Sequence, residues 1–333
     1  DGRAEKPVLT YDMDAVDAFL ADMKADIDCD SVDATVAYVA GNSEPFRFTD
    51  EQAGRELETD AIRARIEASI LNLSPETEAL KPKEISPKVY RVELENATVL
   101  RARVIVPLSG SAAAQENAAL AAVQFQGARI EPGESLSFNQ TVGMRTEESG
   151  YTAAEEPAYG QNIVGVGGGI CQVSTALYRL ALLGGLEIAE RSAAVYPVDY
   201  CEIGQEAAVS DQGLDLVLTN NTDAPLFLIV RVYAENDGQT MEWQLIGKEN
   251  ESRFSLVSEV ETIDAPEEPV YVRDSEGRYA TYADERIPVS EARPGYRATV
   301  SLVDENGETV RVVSEDTYDA IAQIVYVGVQ QRN

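Results

Sequence analysis

The run Gly165-Val-Gly-Gly-Gly-Ile-Cys171-Gln-Val-Ser-Thr-Ala-Leu-Tyr-Arg-Leu-Ala-Leu-Leu-Gly-Gly-Leu186 constrains the fold of this chain more than any other. Its apolar residues are too dense for a surface helix. The run therefore predicts a glycine-rich approach feeding one buried helix, with Cys171 at its first turn. The longest apolar stretch, Val173 to Ala189, is broken by Arg179 and Glu187 and falls short of the roughly 18 residues that span a bilayer. A helix of this kind must be covered by other elements, and the segments around it read as strands, so the fold class is α+β and multidomain.

Three glycines before a cysteine at a helix start have two physical readings. In the functional one, the helix terminus supplies partial positive charge and free N–H groups that lower a thiol pKa and stabilise an oxyanion. Gly167, Gly168 and Gly169 would then admit a substrate backbone, and the Gln172 amide would donate to a developing oxyanion. In the structural one, Cys171 is a small buried hydrophobe and the glycines allow tight helix packing. The residues alone leave both open.

Charge and composition exclude more than they select. With 58 acidic and 27 basic residues the formal net charge is −31, and the chain has no histidine. A Ser-His-Asp triad, a Cys-His dyad and His-ligated zinc are thereby excluded. So strongly acidic a chain argues against nucleic acid and anionic membrane surfaces, which need a basic face. The three cysteines, Cys29, Cys171 and Cys201, form no CxxC pair and no disulfide scaffold; no metal-ligand spacing appears, and no cofactor is implied. The chain reads as soluble, and its start at Asp1 without Met suggests an upstream signal peptide or anchor.

Residues 1–85 read as a small α+β module. A helix is expected over Met13–Asp26 with Val16, Phe19, Leu20 and Met23 on one face, then a strand over Ala34–Ala40, a turn at Gly41-Asn42, and a return strand at Phe46–Phe48. Thr59 or Asp60 is expected to cap a second helix ending at Ser74-Pro75. In the middle domain, 86–250, a helix over Ser111–Gln126 closed by Gly127 precedes a turn at Pro132-Gly133-Glu134. Strands are expected over Glu187–Asp199, Ala207–Asp211, Leu214–Leu218 and Leu226–Tyr233. Residues 251–333 read as an all-β surface module in which Asn306-Gly307 joins Arg297–Val303 to Thr309–Val313.

The run Gly165–Leu186, with Pro132-Gly-Glu-Ser-Leu-Ser-Phe-Asn139, Val142-Gly-Met-Arg145-Thr146, Gly150-Tyr151, Gly204 and Asp215–Asn221, closely resembles the VanW domain family. Residues 1–85 resemble the peptidoglycan-binding module that often precedes it, and the tail resembles glycine-marked β modules of bacterial surface proteins. The resemblance implies an extracytoplasmic cell-envelope protein. The family takes its name from a glycopeptide-resistance gene cluster, and some members are implicated as cysteine L,D-transpeptidases. Carried over, Cys171 would be the nucleophile toward a peptidoglycan stem peptide, Gln172 an oxyanion donor and Asp215 the acidic partner. The substrate side would comprise Arg145, Asn139, Gly167, Gly168, Gly169 and Tyr196. Arg145 is suited to a peptide carboxylate or equally to a structural salt bridge.

One departure bears on the chemistry. Sequences of the family it resembles usually carry one or two histidines after the helix, in a pattern like Glu-Arg-His-x-His, whereas this chain has Glu190-Arg191-Ser192-Ala193-Ala194. Tyr196, Asp199, Glu206 and Asp211 lie nearby in sequence, although a carboxylate beside Cys171 would raise the thiol pKa. Three functions follow: a cysteine acyltransferase, a non-catalytic stem-peptide binder, or a structural envelope protein with Cys171 buried or paired to Cys201. Cleft or disulfide at Cys171 discriminates among them.

Overall fold

The computed structural model describes residues 10–41, 44–75, 77, 79–158, 161–235, 238–250 and 253–332, in two compact units, Asp1–Asn96 and Ala97–Asn333. No helix among the described residues is long and apolar enough to cross a membrane.

In the first unit, α1 (Asp14–Ile27) is followed by the antiparallel pair β1 (Thr35–Tyr38) and β2 (Phe46–Thr49), in register Val36↔Phe48. Asn42 of the expected turn lies outside the described residues. Then come β3 (Gly54–Glu56), α2 (Thr59–Asn72), β4 (Lys83–Ile85), which pairs with β3, and α3 (Arg91–Asn96). Leu20, Ala34, Val36, Leu57 and Leu94 form the core. Two expectations change. Phe19 is 59% exposed, because the buried stripe of α1 narrows to Leu20. Neither Thr59 nor Asp60 caps α2, whose N-cap position is Glu58 and carries no side-chain cap.

The second unit is built around the apolar helix. Strand β5 (Val99–Pro107) leads to α4 (Ala112–Ala122), whose Ser111 hydroxyl accepts the Ala114 N–H. A 3-10 turn (Val123–Phe125) takes the place of the last expected helical turn. Next come β6 (Arg129–Ile130), β7 (Ser135–Ser137), α5 (Phe138–Val142), β8 (Ala153–Ala158) and β9 (Gln161–Val166). The glycines then open α6 (Cys171–Gly184). After it run β10 (Glu187–Glu190), β11 (Val217–Thr219), β12 (Leu226–Glu235) and β13 (Gly238–Gly247). The antiparallel sheet β5-β13-β12-β6 supports α6, in which only Cys171, Arg179 and Leu183 escape full burial. Each buried leucine of α6 contributes about 1.5–3 kcal/mol, so packing rather than propensity holds the helix and fixes where its first turn points.

The expected strand over Glu187–Asp199 stops at Glu190, and the expected strand at Ala207–Asp211 reduces to a single bridge, Ser192↔Ala208. Between them the chain is irregular, and side chains take backbone groups there: Arg191 donates to the carbonyls of Gly204 and Glu206, and the Glu206 carboxylate accepts the N–H groups of Ala194 and Gly204.

The remaining strands are β14 (Ser255–Ile263), β15 (Val270–Asp274), β16 (Arg286–Pro288), β17 (Gly295–Val303), β18 (Thr309–Tyr318) and β19 (Ile324–Gly328). They form sheets β14-β17-β18 and β15-β19-β16, with β15 and β19 parallel. The β17–β18 turn closes through Gly307 N–H to Asp304 C=O at 3.1 Å, at the Asn306-Gly307 site. Residues 86–96 fall in the first unit. From the last segment, Leu302 joins the core around α6, and Phe254, Leu256 and Val313 pack against it.

Asp274 ends β15 and accepts N–H groups from Arg278, Tyr279 and Ala280 at 3.1, 2.5 and 2.9 Å. The Ala280 bond, then the Tyr279 bond, hold its carboxyl below the usual range. A depressed carboxylate stabilises the fold above its unfolded pKa of about 4 and loses that contribution as pH falls through the folded value. Asp274→Asn should thus lower the melting temperature at neutral pH and narrow the gap to wild type on acidification. Melting curves across pH check this, and a constant gap would refute it.

Candidate functional site

A cavity of about 370 Å³ opens where α4 and α6 both begin. Ser109, Gly110 and Ser111 come from the α4 end, Cys171 and Gln172 from the α6 end, and the irregular segment 193–200 makes the opposite wall. The volume falls in the range of small-ligand sites. Both helix starts direct partial positive charge toward it, while Glu155 and Asp199 add carboxylates at its margin.

Cys171 is half-buried, and neither it nor Cys29 nor Cys201 is in a disulfide. Its Sγ–H donates to the Val209 carbonyl at 3.6 Å. Tyr200 lies on the same wall and hydrogen-bonds Thr175 of α6; burial, then the neighbouring Cys171, push its phenol well above its ordinary pKa. A phenol so shifted keeps its proton at neutral pH and serves as a donor, not a base. Sequence periodicity offers no signal for Tyr200.

Apart from Gly167 and Gly168, the predicted site residues divide into two groups. Cys171, Gln172, Gly169 and Tyr196 line the cavity. Gln172 is turned onto the chain: its Oε1 accepts the Ser109 N–H at 2.8 Å and its Nε2 donates to the Ser109 carbonyl at 3.2 Å. It thereby joins the two helix starts. Arg145, Asn139 and Asp215 form a second cluster behind the wall. Arg145 donates to Asp211 and to the Asn139 Oδ1, each at 2.5 Å, with its guanidinium over the Phe138 ring. Asp215 accepts the Ser137 hydroxyl at 2.5 Å and the N–H groups of Asn139 and Leu216 at 2.9 and 2.8 Å. Asn139 donates to the carbonyls of Ser210 and Leu214. This cluster holds segment 209–215, which presents Val209 and Leu214 to the cavity. At the positions where the resemblance implies histidine, Ala194 lines the cavity and Ser192 pairs with Ala208.

The glycines answer to packing. A Cβ on Gly169, at φ +101°, would stand 2.4 Å from the Ala114 carbonyl oxygen, and one on Gly168 would stand 2.7 Å from that of Ala154. Gly167 lies against the Arg145 side chain. Buried Asn117 of α4 pins this turn, its Nδ2 donating to the carbonyls of Thr152 and Gly168 at 2.9 and 3.0 Å and its Oδ1 accepting the Thr152 N–H. Asn117 follows Gln115 and Glu116 in the sequence, so nothing local marked it as the buried member of that polar run.

Burial, then Glu206, push the Cys201 thiol up to about 12. An ordinary thiol titrates near 8.5, so at pH 8 folded Cys201 should alkylate about 10³-fold more slowly than in unfolded protein. Mass mapping of iodoacetamide adducts checks this, and equal rates would contradict it.

Residues 113–244 match the family model described as "VanW like protein", and residues 2–78 match that described as "Putative peptidoglycan binding domain". "Uncharacterized protein YoaR" of Bacillus subtilis (strain 168) is 36% identical over 125 residues, 38% of this chain and 41% of that protein. "Vancomycin B-type resistance protein VanW" of Enterococcus faecalis (strain ATCC 700802 / V583) is 28% identical over 179 residues, covering 52% and 61% respectively. The chain thus spans less than two thirds of either relative's length. The solved structure titled "Crystal structure of HP0197-G5" covers 23% of this chain and 100% of its own, at 14% identity and a TM-score of 0.11, too slight a likeness to carry an argument.

Proposed function

We propose, from the matches of residues 113–244 to the VanW-like model and of residues 2–78 to the peptidoglycan-binding model, that the chain acts at the bacterial cell wall and that its cavity takes peptidoglycan stem peptides, with Cys171 as acyl acceptor. One observation carries the proposal: the Cys171 thiol lies at the start of α6 in a cavity of about 370 Å³. A stem peptide bears carboxylates, which suit the two helix starts, and an amine, which suits Glu155 or Asp199.

In the first step, sulfur attacks a stem-peptide carbonyl, the C–S bond forms, the C–N bond breaks and the thiol proton goes to the departing amine. In the second, an acceptor amine attacks the thioester, C–N forms, C–S breaks and the amine proton returns to sulfur. An oxyanion takes its donors here only by exchange, because the Gln172 side chain engages Ser109 and the Gln172 and Val173 N–H groups engage the carbonyls of Gly169 and Ile170.

A second reading, peptide binding without turnover, is favoured by the Cys171 S–H donating to a neutral carbonyl and by small residues at Ser192 and Ala194. Incubation with disaccharide-tetrapeptide and an acceptor amine, followed by intact-mass analysis and alkylation of Cys171, separates the two. An acyl adduct on Cys171 together with transfer product supports the acyltransferase. Protection from alkylation without an adduct supports the binder, and no protection overturns both.

A further inference from the structure

The cavity wall formed by segment 193–200 has no ladder to hold it. Its two ends are tied instead to β17 and β18, from more than a hundred residues downstream. At the first end, Arg191 Nη1 donates to both oxygens of Asp316 at 2.7 Å, and its guanidinium lies over the Tyr178 ring of α6 at 5.3 Å. At the other, Arg191 Nε and Nη2 donate to the Glu206 carbonyl at 2.8 and 2.6 Å.

The Glu206 carboxylate, fully buried, accepts the N–H of Ala194 at 3.3 Å and that of Gly204 at 3.1 Å, and the Tyr318 hydroxyl donates to it. Ala194 is itself a wall residue. Gly204, at φ +90°, seats the loop directly on β17: a Cβ there would stand 2.8 Å from Val300 Cγ2 and 3.1 Å from Ala298 Cβ. Gln205 Nε2 adds a bond to Ser258 of β14 at 3.0 Å. A buried carboxylate shared between the cavity wall and a tyrosine of another sheet couples their positions, because moving either leaves a charge short of a donor.

We propose that Asp316 and Tyr318 are positioning residues of the cavity: through Arg191 and Glu206 they set where the 193–200 wall stands and so what size of ligand reaches Cys171. This rests on the cavity being the ligand site. It assigns the β17–β18 hairpin a role in selectivity.

The test compares alkylation of Cys171 by a small reagent, iodoacetamide, with a bulky one, fluorescein maleimide, in wild type, Tyr318→Phe and Asp316→Asn. The bulky-to-small rate ratio should rise about tenfold in each variant, as expected when one hydrogen bond to a buried charge is lost. General destabilisation would accelerate both reagents alike and leave the ratio unchanged. An unchanged ratio in folded variants overturns the proposal. If both variants fail to fold, hydrogen exchange on wild type decides. Ala194 and Gly204 amides protected like those of β17 support the coupling, and amides exchanging at loop rates overturn it. Neither readout uses a ligand, so failure of stem-peptide protection would strike the functional proposal alone.

Discussion

Cys171→Ala is expected to reduce acyl capture and transfer from disaccharide-tetrapeptide by about 10³-fold or more, because removing a nucleophile removes the covalent route itself. Binding should survive. The side chain is half-buried and gives up one S–H bond to Val209, so the cavity loses little shape. The decisive comparison is calorimetric binding of the tetrapeptide beside product formation, in both proteins. Retained affinity with product lost assigns the sulfur its covalent role. Product formation persisting in the alanine variant would remove Cys171 from the mechanism, whatever its position in the cavity.

Gly169→Ala should have the largest effect on stability. The residue holds φ +101°, where an L side chain is strained by about 1–3 kcal/mol, and the new Cβ would stand 2.4 Å from the Ala114 carbonyl oxygen. Backbone against backbone cannot be relieved by a rotamer change. Either α4 moves off the α6 start or the turn reopens, and both disturb the cavity and the Asn117 bonds. A loss on the order of 3–4 kcal/mol follows, equivalent to roughly 6–15 °C in melting temperature for a domain of this size. Differential scanning calorimetry reads it directly. A melting temperature within about 2 °C of wild type would mean that the turn is not under the constraint described.

Several elements were legible from local pattern because the pattern and the burial agree. The density of apolar residues after Cys171 predicts a helix that the structure buries almost completely. The hairpin at Asn306-Gly307 and the turn at Gly133 likewise follow from turn chemistry. Failures occur where distant partners decide. Val195, Tyr196 and Val198 look like strand residues, yet their segment runs irregularly, tied by Glu206 and Arg191 to β18. Phe19 has the spacing of a core residue and remains exposed because α1 buries only one narrow stripe.

The site divides along the same line. Local sequence placed the Cys171 thiol at a helix start behind glycines, since backbone φ preferences and apolar periodicity act within a few residues. It did not reveal that Gln172 would turn to Ser109, that Arg145 and Asp215 would support segment 209–215 from behind, or that Tyr200 would stand beside the thiol. Those outcomes belong to tertiary structure. A buried polar group takes whichever partner the packing brings within about 3 Å, and no spacing along the chain encodes which partner that is.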